Sequence, residues 1–505
     1  MYESALALSV LVFGFVAVYF TRHPAFSVFH PLSYYCAFHG FIFVFRPILA
    51  YFMEYKAIYW LYDFIPSPAD KLTVVLAANV GFLSFAFFCL RAGSAPMEFK
   101  RDAVIDEERR RLGGILPFVL LICLPVAVYS LLTSFSTTVE GGASTMVMDK
   151  ATGAVVNTTG NGYLADAQLM LASCGALIAW IYRFRLVALL PLIGFVIIRA
   201  GSGGRGPFIT ALTSVCLLYL YEKRVRIPGP RVMIVVGLML AAFTAVGQDR
   251  GRGIRETLGF AEASQVEAEK STDKFLEGMD FANLEYFEYL VYVIPQRSHT
   301  YDYFLSNLQL FTEPVPRVLW SGKPIGAPIQ LFKLWDYGNP IGMTSSLPGA
   351  GWTELGWIGV IIWCGLWGHA VGRIYTMFVR GPQHSLQTIS YLIFLPVLII
   401  AYRDGVLLTI AKQAMFFFLP VIVWYLLARY VALPTVPQMR EFVRSRMAAD
   451  AALAVSRANA GDSVAPVPGG SSRRTGGTSS PSPTTTTGAA RRLAAVRLLR
   501  EAGSA

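Results

Sequence analysis

The chain has 505 residues, 54% of them hydrophobic and 15% charged, with a mean hydropathy of +0.50 and a formal net charge of +11. Its apolar residues fall in blocks of roughly 15 to 25, which excludes a soluble globular class, because a bilayer core takes about 20 apolar residues per helix. Much of the positive charge lies in the C-terminal tail and in short connections between blocks, so it describes membrane topology and no nucleic-acid partner.

In chain order the expected spans lie near residues 3–20, 30–53, 71–91, 115–134, 163–182, 186–200, 207–221, 231–247, 353–378, 386–402 and 405–432, eleven in all. The first lacks a basic n-region and a small-residue cleavage site, so it reads as a retained span. The second carries Arg46 in its outer half; an intramembrane charge normally faces the bundle interior and marks a substrate path. Basic residues stay on the cytoplasmic side. Arg91, Lys100, Arg101, Arg109, Arg110 and Arg111 follow the third span, Lys223, Arg224, Arg226 and Arg231 the seventh, and Arg373 and Arg380 the ninth. With eleven spans these fall on one side, the N-terminus outside and the C-terminus inside.

That count places three cationic features on the outer face, where arginine is expected to be scarce. They are the turn GSGGRGPF with Arg205, preceded by Arg199; the segment from Gln248 to Gly351; and the pair Arg403-Asp404. The long segment begins with GIRETLGFAEASQVEAEKSTDKFLEGMDFANLEYFEYLVYVIP, whose spacing suits amphipathic helices on the outer face of the bundle. Its second half is richer in Pro, Gly and aromatic residues, and a structureless stretch of that length is usually functional. The expected division is a bundle over 1–247, an extracytoplasmic loop over 248–352, three further spans over 353–435 and a disordered basic cytoplasmic tail over 436–505. The six cysteines all fall in apolar runs and read as packing residues.

SGGRGP on an outer turn, EPVPRVLWSGKP in the long loop, the exit SLPGAGWTELGWIGV and the late AYRDGV together resemble the O-antigen polymerases, the Wzy-type oligosaccharide repeat-unit polymerases, over residues 1–432. The resemblance implies an all-α polytopic membrane protein of about eleven transmembrane helices with a GT-C-like bundle, in a bacterial cytoplasmic (inner) membrane. It implies glycosyl transfer on the outer face, with donor and acceptor both oligosaccharides on undecaprenyl diphosphate, and with membrane lipids and a chain-length regulator as further candidate partners. An O-antigen ligase-like transferase and a lipid-linked oligosaccharide flippase stay open as alternatives. The gathering of charge on one face beside a single long loop favours an enzyme over a flippase.

The chemistry of such a transfer names the residues. A diphosphate leaving group gains negative charge as the glycosidic bond breaks, so the site needs fixed cations, and arginine binds phosphate oxygens through a planar fork. Arg205 and Arg403 are expected to act in catalysis, with Arg199, Arg297, Arg317, Lys323 and Arg46 binding substrate. The competing reading of the turn is that its glycines only tighten it and Arg205 reaches the headgroups. His299, in QRSHTYDY between Arg297 and Asp302, is the expected general base for the acceptor hydroxyl, while Asp302, Glu354 or Asp404 could do the same work. Asp404 also reads as the partner of Arg403. Trp320 and Trp335 offer flat faces for sugar rings. No Asp-x-Asp, phosphate loop or dinucleotide fingerprint occurs, so neither a metal nor a soluble cofactor is expected.

Overall fold

Helices of the expected length follow directly from the apolar blocks. In the computed structural model, residues 1–100, 103–139, 146–148, 155–157, 166–201, 205–230, 234, 237, 276–278, 281–315, 319–320, 322–324, 326–338, 344–431 and 436–461 are described. Among the described residues, seven segments are long and apolar enough to cross a membrane: Tyr2–Thr21, Pro31–Met53, Pro68–Ala92, Val104–Thr133, Ser346–Arg380, Ser385–Asp404 and Leu407–Tyr430. Leu169–Ile181, Leu186–Ile198 and Ile209–Glu222 are apolar but shorter, and the span expected at 231–247 lies almost entirely outside the described residues. The chain is therefore a helical membrane protein, with one short antiparallel hairpin, Met146–Met148 against Val155–Asn157, among the described residues.

The described helices are α1 (Tyr2–Thr21), α2 (Pro31–His39), α3 (Arg46–Met53), α4 (Ala57–Tyr62), α5 (Pro68–Ala92), α6 (Ala103–Val139), α7 (Leu169–Ile181), α8 (Leu186–Gly201), α9 (Arg205–Glu222), α10 (Asn283–Val293), α11 (Gln309–Thr312), α12 (Ser346–Arg380), α13 (Ser385–Asp404), α14 (Leu407–Tyr430) and α15 (Val436–Gly461). A π-helical turn, Gly40–Phe45, joins α2 to α3. Local signals set several ends. Ser67 and Asp70 form a reciprocal capping box before α5, with Pro68 in its first turn. His30 caps α2 through its ring, and α13 stops at Gly405 in the left-handed region.

Two compact units divide the chain: Met1–Lys100 with Ile115–Leu427, and Arg101–Gly114 with Ala428–Ala505. The long loop and the three late spans expected as separate domains thus belong to one unit. In the second unit the tail expected to be disordered is helical from Val436 to Gly461. The reason lies in its apolar stripe: Met439 and Val443 are buried against Val104, with Met447 beside them, and Arg111 lies 5.1 Å from the centre of the Phe442 ring. Residues 462–505 are not among those described.

Within the first unit, α5 and α12 run parallel along a seam of small residues. A Cβ on Gly368 would lie 2.4 Å from the Phe85 carbonyl and one on Gly372 2.5 Å from that of Cys89. Such seams let helix backbones approach where lipid offers no hydrophobic driving force.

Hydrogen bonds define the two ends of the bundle. At one, Val28 N donates to Arg226 O (2.9 Å), His30 Nε2 to Gly93 O (3.0 Å), and Lys100 N and the Tyr221 hydroxyl to Gln383 Oε1 (2.9 and 2.7 Å). At the other, Ala57 N donates to Glu277 (2.7 Å) and Gln296 Nε2 to Asp70 (2.7 Å). The first is the basic end, holding Arg22, Arg91, Lys100, Lys223, Arg224, Arg226, Arg373 and Arg380. The second is the loop end.

The ninth expected span begins earlier than its sequence suggests and is broken. α12 starts at Ser346 and leaves helical geometry at Leu355 (φ −154, ψ 29) and Gly356 (φ 58, ψ −134). Across that break the chain doubles back, because a Cβ on Gly359 would lie 2.1 Å from the Gly351 carbonyl. Trp363 Nε1 donates to Gly405 O at 3.2 Å, and a Cβ on Gly405 would lie 2.2 Å from Ser346 O. Ser346 is therefore level with Trp363, seven residues or about 10 Å below the turn at a helical rise of 1.5 Å per residue. The first arm of α12 starts within the bundle and rises to the loop end.

Candidate functional site

Helix α10 rises beside that first arm. Ten of its eleven residues are buried, which corrects the expectation of amphipathic surface helices: this piece of the loop is packed inside the bundle against α5 and α12. Gly349 touches Leu290 and Phe287, and higher up Trp352 Nε1 donates to Ile294 O at 2.8 Å. At the lower end, Asn283 Nδ2 donates to Thr344 O, Thr344 Oγ1 and Arg403 O, each at 2.8 Å.

The N-termini of α10 and of the first arm of α12 thus meet at the C-terminus of α13. Each brings the positive end of a helix dipole, and in the first arm of α12 Gly349 N is capped by Ser346 Oγ at 3.4 Å. Arg403 adds a guanidinium whose buried Nε has no partner among the described residues. The resident negative charge is Asp404, next to Arg403 and hydrogen-bonded by Thr409; Ser345 Oγ donates to its main-chain carbonyl at 2.6 Å. Two helix N-termini and a guanidinium thus face the Asp404 carboxylate and the negative C-terminal end of α13.

Arg46 approaches α10 from another side. Its guanidinium donates to Glu285, and both side chains are 0% exposed. Arg46 Nε also donates to Leu276 O at 3.3 Å, and the guanidinium lies 5.6 Å from the centre of the Tyr55 ring. One turn along α10, Glu288 accepts from the Tyr59 hydroxyl at 2.6 Å. Burial pushes the Glu288 carboxyl up to about 7 from its ordinary 4.5. Sequence reasoning singled out Arg46 and Arg403 but missed Asn283, Glu285 and Glu288. The available signal was Arg46 itself, since a cation at that depth requires an acid partner.

The other expected residues are dispersed. His299 is exposed, with its backbone at φ 53 and its N–H on Pro295 O at 2.9 Å. The cation, base and carboxylate close in sequence at 297–302 do not converge. Arg297 turns back onto Tyr292, its guanidinium 3.3 Å from the ring centre. Asp302 turns inward, where its carboxylate accepts from Ser306 N at 2.9 Å, so it cannot orient the His299 ring. Glu354, at the top of the first arm of α12, lies against Asp302 and accepts from Phe304 N and, at 2.8 Å, from Asn307 Nδ2. Both carboxylates hold the 302–307 segment through these bonds. Lys323 is 9% exposed, paired with the Glu313 carboxylate (3.4 Å) and donating to its carbonyl (2.7 Å), and so is no free cation. Arg199 lies in α8 and Arg205 begins α9, but their side chains, like all of Arg317, fall outside the described residues. Trp320 is 39% exposed on the loop. Among the described residues no group of His, Cys, Asp and Glu has metal-binding geometry.

Comparison with protein-family models, with curated proteins and with solved structures finds no match to this chain.

Proposed function

We propose that the protein is a glycosyltransferase that polymerises oligosaccharide repeat units carried on undecaprenyl diphosphate, at the outer face of a bacterial cytoplasmic membrane. The observation that carries the reading is the meeting of two helix N-termini and Arg403 within the loop end of the bundle. A lipid diphosphate is an anion delivered from the bilayer, and helix dipoles with a guanidinium stabilise the charge it gains on leaving. The acceptor hydroxyl attacks the anomeric carbon, the carbon–oxygen bond to the diphosphate breaks with its electron pair, and the hydroxyl proton passes to a base. Asp404, one of the alternative bases read from sequence, stands at this site, whereas His299 lies beyond the opposite end of α10, about 15 Å along the helix from Asn283.

The basic end supports the orientation, since it becomes cytoplasmic by the charge rule and leaves this site outside. A ligase-like transferase would use the same geometry with a different acceptor. The broken α12 favours one reading of another class, a lipid-linked oligosaccharide transporter, because discontinuous helices with N-termini inside the bundle hold anionic substrates in transporters. Purified protein given synthetic lipid-linked repeat units separates the three: a ladder of products marks a polymerase. A single transfer to a foreign acceptor marks a ligase, and movement across a vesicle with no new bond a transporter.

A further inference from the structure

Helix α10 places two fully buried carboxyls one turn apart, and only one of them has a guanidinium bonded to it. Glu285 is paired with Arg46; Glu288, 1% exposed, has the Tyr59 hydroxyl instead. The ion pair is itself incompletely satisfied, for Arg46 Nη2 and Glu285 Oε1 are buried without a partner among the described residues. The titratable and charged groups facing Glu288 from other elements are Tyr2 of α1, Arg46 of α3, Tyr59 of α4 and Lys71 of α5, whose ammonium lies 4.6 Å from the centre of the Tyr59 ring.

Two carboxylates beside one buried cation cannot both hold their charge cheaply where water is excluded, so one of them keeps a proton. Burial raises Glu288 most; Lys71 opposes it, the charge of Glu285 adds to it, and the Tyr59 hydrogen bond and Arg46 oppose it.

We propose that the Glu285–Glu288 face of α10 is a proton-binding site: Glu288 takes up and releases one proton, and the idle Nη2 of Arg46 becomes its partner when Glu288 ionises. Tyr59 and the half-buried Lys71 mark the route of that proton toward solvent. The same helix begins at Asn283, whose amide holds the Arg403 carbonyl. The site stands whether or not the protein transfers sugars.

The test is a pH titration of the full-length protein in detergent, followed by the infrared carbonyl stretch of protonated carboxyls. The wild type should lose one such band near neutral pH. Glu288→Gln should abolish that step, and Glu285→Gln should abolish it too, because Glu288 then stays ionised against Arg46. Tyr59→Phe, which removes one hydroxyl and leaves the ring packed, should move the midpoint up by about one pH unit. A wild type with no such band, a band unchanged in Glu288→Gln, or an unmoved midpoint in Tyr59→Phe would overturn the proposal.

Discussion

The side-chain amide of Asn283 reaches the main-chain carbonyl of Arg403, 120 residues further along the chain, at 2.8 Å. The same nitrogen also serves both oxygens of Thr344, so one buried group ties α10, α13 and the entry to α12 together. Asn283→Ala leaves those acceptors without this donor, at a cost of about 1–3 kcal/mol. Asn283→Asp should be worse, because it puts an acceptor where three acceptors already converge. Thermal unfolding in detergent should rank wild type above alanine above aspartate, and equal stability for alanine and aspartate would mean that the amide does not make these bonds.

The doubled-back α12 depends on glycine, and two positions test it directly. Gly359 has no room for a Cβ against Gly351 O, and Gly405 combines a close approach to Ser346 O with φ +72. Gly359→Ala and Gly405→Ala should each lose most of the folded yield on size-exclusion chromatography. Gly14→Ala, where a Cβ meets nothing within 4 Å, should behave as wild type.

How far the sequence anticipated this arrangement depends on which residues carry it. Blocks such as 68–92 announce spans through composition alone, and Arg46 announces itself by its depth. Its partner was hidden, because NLEYFEYLVYV spaces two carboxylates among aromatics as a surface helix would, and only tertiary packing buries both faces. The break in α12 was hidden for a related reason. ELGW carries no proline; its Gly356 takes the turn at φ 58, ψ −134, and the reversal is held by Gly351 against Gly359 and by Gly405 against Ser346. At the site, Arg403 and Asp404 could be named from sequence, whereas the inward turn of Asp302 follows from Ser306 and Glu354, which no local pattern relates to it.

Arg403→Lys keeps a positive charge and loses the planar fork. On the proposed reading, polymerisation should fall by roughly 30- to 1,000-fold, equivalent to about 2–4 kcal/mol of transition-state stabilisation, with little change in unfolding temperature. A ladder assay at matched protein amounts decides it, and full activity would remove Arg403 from the chemistry.

His299 offers a clean substitution because its backbone is left-handed, at φ 53. Asparagine tolerates that conformation, so His299→Asn removes the base without straining the loop. If the imidazole takes the acceptor proton, the rate should drop about 100-fold or more while donor binding and stability hold. Unchanged turnover would move the base elsewhere.

Stability should also depend on pH through Glu288. Its carboxyl is held up to about 7 in the folded protein against an ordinary 4.5, so between those values the folded state binds a proton that the unfolded state has released. Stability therefore falls as pH rises through that window and levels off above it. Glu288→Gln, a neutral near-isostere that still accepts from Tyr59, carries no such penalty. The variant should match wild type at about pH 4.5 and exceed it increasingly up to about pH 7, by a few kcal/mol at most, since each pH unit crossed in that window costs the wild type about 1.4 kcal/mol. Unfolding midpoints in detergent across that range read the difference directly. A variant whose advantage is the same at every pH would locate its effect in packing and leave Glu288 without a titration in the folded state.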